Sequence, residues 1–549
     1  MNSKHKRRSS MSVWIQRRPD SEVAAEIASA TGALAGLRLA VKDNVDVAGF
    51  ATTAGCPDYA YTPEQDSAVV AALRAAGAVV VGKTNLDQFA TGLVGTRSPY
   101  GAVENASRPG YVSGGSSSGS AVAVARGAAD IAIGTDTAGS GRVPAALHGL
   151  VGIKPTIGTV ATDGVVPACR SYDCVTIFAA TLELANRAMG VMASGAPHRP
   201  WPADVRLAAP PNPVVAIFSE LPDLDPEWHS AFERTVAGLR ERGARIIEID
   251  PEPFLAAAKL LYNGALVAER YSAVGEFVDA HPDSIDPTVA SIVQAARDIP
   301  AHQLVSDLAE LERLRTRAMA SLAGADALLT PTVPGHPTIA EVAADPIAVN
   351  SRLGTYTNFC NLFDLCAVAV PAGTAGDAHF GVTILARPFE DAVAYDIATL
   401  IAAQQDSLPA PAWPLTVAPV RDLIVFGAHL RGQPLEHQLT TLGARWAGPV
   451  RTSPNYRLAA LDTTPPKPAV TRVPEGEQGI SVAAERWLLS PAALGTFLTT
   501  LPTPMQLGAV ELEDTTWTTG FSCTGAAATT AKDISEYGGW KAALAAGAL

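Results

Sequence analysis

Ser113-Gly114-Gly115-Ser116-Ser117-Ser118-Gly119-Ser120-Ala121 and Gly134-Thr135-Asp136-Thr137-Ala138-Gly139-Ser140-Gly141-Arg142 are the two stretches whose reading decides the fold. Between them the sequence predicts an Ala-rich helix over 121–128 and a short apolar strand starting at 131–133. Short turns would suffice to join such elements, so two long runs of Gly and Ser need another reason. Small residues let backbone approach a ligand closely. Consecutive backbone N–H groups beside a nucleophile make an oxyanion hole. Outward from these stretches, 37–41 and 78–81 read as short buried strands, and 21–34 and 67–76 as helices. Helices alternating with short apolar strands predict an α/β core. Residues 228–242 and 303–322 carry the spacing of longer amphipathic helices.

Two neighbouring motifs are set aside on context. Gly77-Ala78-Val79-Val80-Val81-Gly82-Lys83-Thr84 fits the phosphate-binding pattern G-x4-G-K-T. That loop needs a strand before its first glycine and open backbone between the two. Here a helix pattern precedes Gly77 and the intervening residues read as a strand. Gly115 to Gly119 fits G-x-S-x-G, the strand-to-helix elbow of serine hydrolases. The residues before it, 105–114, are polar and turn-rich, and no downstream histidine sits in a setting that marks it out.

The chain has 549 residues, 48% of them hydrophobic and 17% charged, with a formal charge of −13. That balance argues against nucleic-acid binding, which needs a basic face. No apolar run reaches the ~18 residues of a membrane span. The six cysteines, Cys56, Cys169, Cys174, Cys360, Cys366 and Cys523, form no disulfide or metal pattern and read as reduced thiols of a cytoplasmic protein. Arg7-Arg8 hints at an export signal, but the residues from 9 to 18 are too polar to complete one. The domain reading is 1–406, a Pro-rich linker over 407–419 with Pro409, Pro411, Pro414 and Pro419, and a β-rich domain over 420–549. Strands are expected in the last at 422–426, 456–460 and 479–482.

Residues 37–390 resemble the amidase signature family. The motifs that carry the resemblance are Val41-Lys42-Asp43-Asn44, Gly82-Lys83-Thr84-Asn85 and the two Gly/Ser stretches. It implies a mixed β-sheet covered by helices and a Ser–Ser–Lys triad without histidine. In that triad Lys42 is the base, Ser116 the bridging serine and Ser140 the nucleophile. The amides of Thr137, Ala138 and Gly139 form the oxyanion hole, Ala138 standing where many members have Gly. A cis peptide at Gly115–Ser116 is also implied, and no metal or organic cofactor is. The residue types suit the chemistry. A serine hydroxyl is a weak nucleophile until a base takes its proton. Lysine is a base only when neutral, which burial favours. The competing reading of Lys42 is a surface lysine or an ion pair with Asp43.

Within the family, residues 164–174, 261–264, 267–271, 357–359 and 381–383 resemble allophanate hydrolases. That likeness implies a small planar substrate carrying a carboxylate, allophanate, held by Tyr262 and Arg270. Eight residues of helix put these two on roughly one face, and a guanidinium fork suits a planar carboxylate. Residues 426–435 and 533–540 resemble the second domain of the same enzymes, itself distantly like a γ-glutamylcyclotransferase barrel. There the resemblance implies handling of the carboxylated product or assembly of the oligomer, with His429 as the candidate polar group. It further implies a homodimer and a functional link to a biotin-dependent urea carboxylase. Two other enzyme readings remain, an amidase of broader specificity and an amidotransferase component that passes ammonia to a tRNA-bound partner. A catalytically idle scaffold is the third alternative, and the intact triad opposes it.

Overall fold

The structure is a computed structural model that describes residues 12–195, 197–402 and 412–549. The basic first ten residues and residues 407–411 of the Pro-rich stretch lie outside the described residues. The described part of that stretch is partly ordered. Trp413–Thr416 forms a 3-10 turn, and the buried Trp413 donates its backbone N–H to Asn186 Oδ1 at 2.7 Å. The chain divides into two units. One is built from the chain up to Pro200 together with Asn212–Val417, the other from Trp201–Pro211 and Ala418–Leu549. Residues 201–211, which composition alone groups with the first domain, are held in the second unit. The Leu207 N–H donates to Gly443 O at 2.9 Å, and Arg445 Nε to Leu207 O at 2.8 Å.

The first unit is organised by an eleven-stranded mixed sheet. In chain order its strands are β1 Trp14–Arg17, β2 Arg38–Lys42, β3 Val79–Thr84, β4 Ile131–Asp136, β5 Val151–Lys154, β6 Cys174–Ala179, β7 Val214–Phe218, β8 Arg245–Ile249, β9 Ala327–Pro331, β10 Cys366–Ala375 and β11 Ala378–Ala386. Their spatial order is β1-β3-β2-β4-β6-β5-β10-β11-β9-β7-β8. The strands β3, β2 and β4 run parallel, with Val41 opposite Ile133 and Lys42 opposite Thr84. Their carboxyl ends therefore share one edge, where open α/β sheets gather ligands.

Helices α1 (Ala68–Ala75) and α2 (Ser118–Ala125) follow β2 and β3. The first of them precedes Gly77, and Gly82-Lys83-Thr84 is strand, so the phosphate-loop reading fails as expected. The second starts three residues earlier than the Ala-rich pattern predicts, because its serines find partners in the sheet. Ser120 Oγ donates to Ile133 O at 2.9 Å and lies 2.7 Å from Thr84 Oγ1. At Gly119 a Cβ would strike Val13 O and come within 2.8 Å of the Asn85 backbone. Helix α2 is buried almost all round, so its small residues set how closely it lies against the strands.

The second unit holds β12 Arg421–Val425, β13 Arg445–Arg451, β14 Tyr456–Leu461, β15 Lys467–Arg472, β16 Ala483–Leu489, β17 Met505–Glu511, β18 Trp517–Cys523 and β19 Lys532–Asp533. They pair as a five-stranded sheet, β13-β16-β12-β18-β17, and a three-stranded one, β15-β14-β19. No ladder joins the two sheets among the described residues, so the strand pairing does not confirm the barrel likeness. Leu423, Ile424, Val425, Trp487 and Phe521 belong to its own core. The strand expected at 479–482 is only a single bridge, Ile480 to Tyr456. Gly479 passes so close to Asn455 and Tyr456 that a Cβ would lie 2.7 Å from Tyr456 N. Regular pairing begins at Ala483.

Candidate active site

Lys42 ends β2 and is fully buried. Its Nζ donates to Ser116 Oγ at 2.8 Å and to Thr135 Oγ1 at 2.7 Å. Both partners are neutral, and no carboxylate pairs with it among the described residues. Burial drives its pKa down to about 7. The charges of Asp87, Asp173 and Asp136 oppose that shift, and Arg270 adds to it. The ion-pair reading of Lys42 is excluded. Asp43 turns the other way and pairs with Lys83, Nζ to Oδ1 at 3.3 Å, while also accepting from Thr53.

Ser116 follows a cis peptide from Gly115, as the resemblance implies. Its loop is tied to β4, since Ser117 Oγ donates to Thr135 O at 3.2 Å and accepts the Thr135 N–H at 3.3 Å. On the other side the Asp87 N–H donates to Ser116 O at 3.2 Å.

The loop from Thr137 to Gly141 is shaped by Asp136 at the end of β4. Its carboxylate accepts the N–H groups of Gly139 at 2.9 Å and Gly141 at 3.0 Å. It also accepts Nε and Nη2 of Arg142, both at 2.9 Å. Although burial works against it, Arg142 and these donors hold the Asp136 carboxyl below its usual range. Of the three amides that the resemblance implies for the oxyanion hole, that of Gly139 has a partner in Asp136. The amides without a hydrogen-bond partner among the described residues are those of Thr137, Ala138 and Ser140. Gly139 is needed for shape instead, with φ +130° and a would-be Cβ 2.5 Å from Thr357 Oγ1. Ser140 itself is 4% exposed.

Tyr262 and Arg270 meet, but not on one helix. Tyr262 lies near the end of α3 (Glu252–Asn263) and Arg270 near the start of α4 (Ala268–Ala280). Between them Gly264 is extended and Ala265–Val267 makes a 3-10 turn. Asp307 fixes that break by accepting the Ala265 N–H at 2.6 Å, against a glycine whose Cβ would lie 2.8 Å from the same carboxylate. Arg270 Nη2 donates to Tyr262 OH at 3.1 Å, and Nη1 to Thr91 Oγ1 at 3.0 Å. The guanidinium is 1% exposed, its Nε has no partner, and no carboxylate pairs with it among the described residues. A buried cation left so is costly unless a ligand supplies the anion. Sequence reasoning misses Thr91, Thr135 and Asp136 as site residues; only the place of Thr91 in the loop after β3, and of Thr135 and Asp136 at the end of β4, could have suggested them.

His429, in the second unit, stands apart from this cluster in the chain. It lies 2.8 Å from Gln438 Oε1 through Nε2 and stacks on Phe521 with centroids 4.9 Å apart. Burial pushes its pKa down. It lines a cavity of about 180 Å³ together with Phe426, Gln438, Lys467, Pro468 and Phe521.

The family model described as amidase matches residues 2–394. The chain belongs to the amidase family. Residues 421–545 match the allophanate hydrolase C-terminal domain. Among relatives of this amidase, the urea amidolyase of Saccharomyces cerevisiae is 42% identical over 545 residues. That match covers 93% of the chain but only 29% of the relative's length. The structure of Kluyveromyces lactis allophanate hydrolase superimposes with a TM-score of 0.87 at 39% identity, covering 97% of this chain and 93% of that one. The 2-amino-5-chloromuconic acid deaminase of Comamonas testosteroni is 31% identical over 405 residues, 70% of this chain and 85% of that one.

Proposed function

We propose that this amidase hydrolyses allophanate, urea-1-carboxylate, to ammonia and carbon dioxide in urea breakdown. The observation that carries the substrate is Arg270, a buried guanidinium with no carboxylate partner, bonded to Tyr262 and Thr91. Arg270 and Tyr262 hold the substrate carboxylate. Ser140 Oγ attacks the terminal amide carbonyl, and its proton passes through Ser116 to neutral Lys42. The amides of Thr137, Ala138 and Ser140 receive the oxyanion. The proton returns along the same path to the leaving ammonia, and water then frees N-carboxycarbamate from the acyl-enzyme.

The second unit takes that product towards carbon dioxide and a second ammonia, with His429 as the polar group of its cavity. The urea amidolyase relative is far longer than this chain, in keeping with a partner activity that makes allophanate, a biotin-dependent urea carboxylase. A homodimer, carried by the family resemblance, and a cytoplasmic location, carried by the unpaired cysteines, complete the reading, and light scattering on the purified chain tests the first. The main experiment measures ammonia release from allophanate, urea, glutamine and a neutral amide side by side. Turnover of allophanate far above the rest supports the proposal. Comparable turnover of the neutral amide would favour a broader amidase, and a preference for glutamine would favour an amidotransferase component.

A further inference from the structure

Asp173 is the residue just before β6, and β6 pairs antiparallel with β4 so that Cys174 lies opposite Asp136. One step further out, that register brings Asp173 against Thr137, the first residue of the loop that bears Ser140. The contacts follow. Asp173 Oδ1 accepts the Thr137 hydroxyl at 2.5 Å, and Oδ2 accepts the Ala168 N–H at 2.8 Å. The Cys169 N–H reaches both oxygens at 3.2 Å. Asp173 is buried, and among the described residues it has no ion-pair partner. Burial pushes its pKa up, and the three neutral donors oppose that shift.

The charges that face Lys42 come from four places. Asp87 follows β3, Asp136 ends β4, Asp173 precedes β6 and Arg270 starts α4. Asp136 is neutralised by Arg142. Asp87 is capped by the Val94, Gly95 and Arg97 amides, with the Arg97 charge beside it. Among the described residues neither Asp87 nor Asp173 is in an ion pair, and of these two it is Asp173 whose carboxylate accepts from the loop of Ser140, through the Thr137 hydroxyl.

We infer that Asp173 is a positioning residue of the amidase centre: it clamps Thr137, the first residue of the loop that bears Ser140, to the turn at Ala168 and Cys169. The inference rests on the acyl-transfer reading above. Holding the Thr137 hydroxyl fixes where the Thr137 and Ala138 amides point. Those amides matter where charge develops, so the clamp acts on turnover more than on substrate affinity. The carboxylate also favours the ammonium form of Lys42, which sets the pH above which the base is free.

The test uses the full chain and the variants Asp173→Asn, Thr137→Val, Thr137→Ser and the double variant Asp173→Asn/Thr137→Val. An Asn carbonyl accepts from one side of the clamp, not both. The expected result is a fall in kcat of about 10- to 100-fold for Asp173→Asn and Thr137→Val, with KM for allophanate nearly unchanged. Thr137→Ser, which keeps the hydroxyl, should retain most of the activity. The double variant should be little worse than either single one. In Asp173→Asn the rising limb of kcat/KM should move down by about one pH unit, since a negative charge near Lys42 is gone. In Thr137→Val the limb should stay. Turnover of Thr137→Val within twofold of the parent, or losses that multiply in the double variant, would overturn the inference. Should Asp173→Asn fail to fold, the Thr137 pair still decides it. A parent inactive on allophanate would instead count against the acyl-transfer reading, and the two failures are thereby told apart.

Discussion

Lys42 has to be neutral to accept a proton, and it sits where water cannot stabilise its charge. With a pKa near 7, its neutral fraction rises through that pH. The kcat/KM for allophanate should therefore rise with pH to a plateau above about 8, measured as ammonia release across a buffer series. In Arg270→Ala a neighbouring cation is lost, so the limb should move to higher pH. Ser140→Ala and Lys42→Ala should each lower kcat by at least about 10³-fold, and the double variant little further, because members of a relay are not additive. Losses that multiply would show that the two act independently. Arg270→Ala should cost about 10- to 150-fold in kcat/KM on allophanate, as one charged hydrogen-bond partner is worth about 1.5–3 kcal/mol. A neutral amide should lose much less. Arg270→Lys recovers only part of the loss, since an ammonium cannot make the forked contact, and Tyr262→Phe costs less than either. Equal losses on the two substrates would make Arg270 a support of the fold.

At the scale of elements, the site depends on how closely one helix and one loop can approach the sheet. Gly119 lets α2 lie against the backbone of Val13 and Asn85. Gly119→Ala must push the helix away, and Ser116 with it. It should cost about 1–3 kcal/mol of stability and part of the activity, read from denaturant unfolding and kcat on one preparation. Gly139 is different, because the clash is local and the backbone has φ +130°. Gly139→Ala displaces the Thr357 hydroxyl and turns the amides of Thr137 and Ala138. Its kcat should fall about 10²-fold while its melting temperature moves little. A variant that unfolds before it loses turnover would assign Gly139 to stability alone. The break between α3 and α4 has the same character. Continuous helix would also align Tyr262 and Arg270, but Asp307 and Gly264 set a turn that brings in Thr91 as a third contact.

For the molecule as a whole, a buried lysine is a stability cost that depends on pH. Lys42 binds its proton less tightly folded than unfolded, about 7 against 10.5. Between those values the unfolded chain holds more protons, so stability rises with pH, at about 1.4 kcal/mol per unit for one group. Relative to the parent, Lys42→Met should be more stable at pH 7.5, and that advantage should shrink steadily towards pH 10. Guanidinium unfolding of both proteins at several pH values checks it, followed on the transition of the unit that carries Lys42. An advantage that does not change with pH would mean that Lys42 keeps an ordinary lysine pKa in the fold.

Much of this is legible in the chain itself. Residues of one short motif stay close whatever the fold does around them, so Lys42-Asp43-Asn44 and the stretches holding Ser116 and Ser140 can carry a family resemblance, and that resemblance is what implies their roles. The α/β alternation of the first unit can be read because its strands are short, apolar and punctuated by helices with buried faces. In the second unit strands are legible at 421–425 and 456–461, while the strand expected at 479–482 is only a single bridge, because Gly479 sits against the backbone of Asn455 and Tyr456, and Ala483–Leu489 goes unread. What only the tertiary structure decided is where groups far apart in sequence converge. Lys42 meets Thr135 because β2 and β4 run side by side. Arg270 meets Thr91, and Asp173 meets Thr137, across loops whose lengths carry no signal. The Gly139 amide donates to Asp136, while those of Thr137, Ala138 and Ser140 have no hydrogen-bond partner among the described residues. Residue types name the chemistry a chain can perform, because acidity and nucleophilicity belong to the side chain. Which donors are satisfied and which stay open depends on burial and register, and these arise only once the chain has packed.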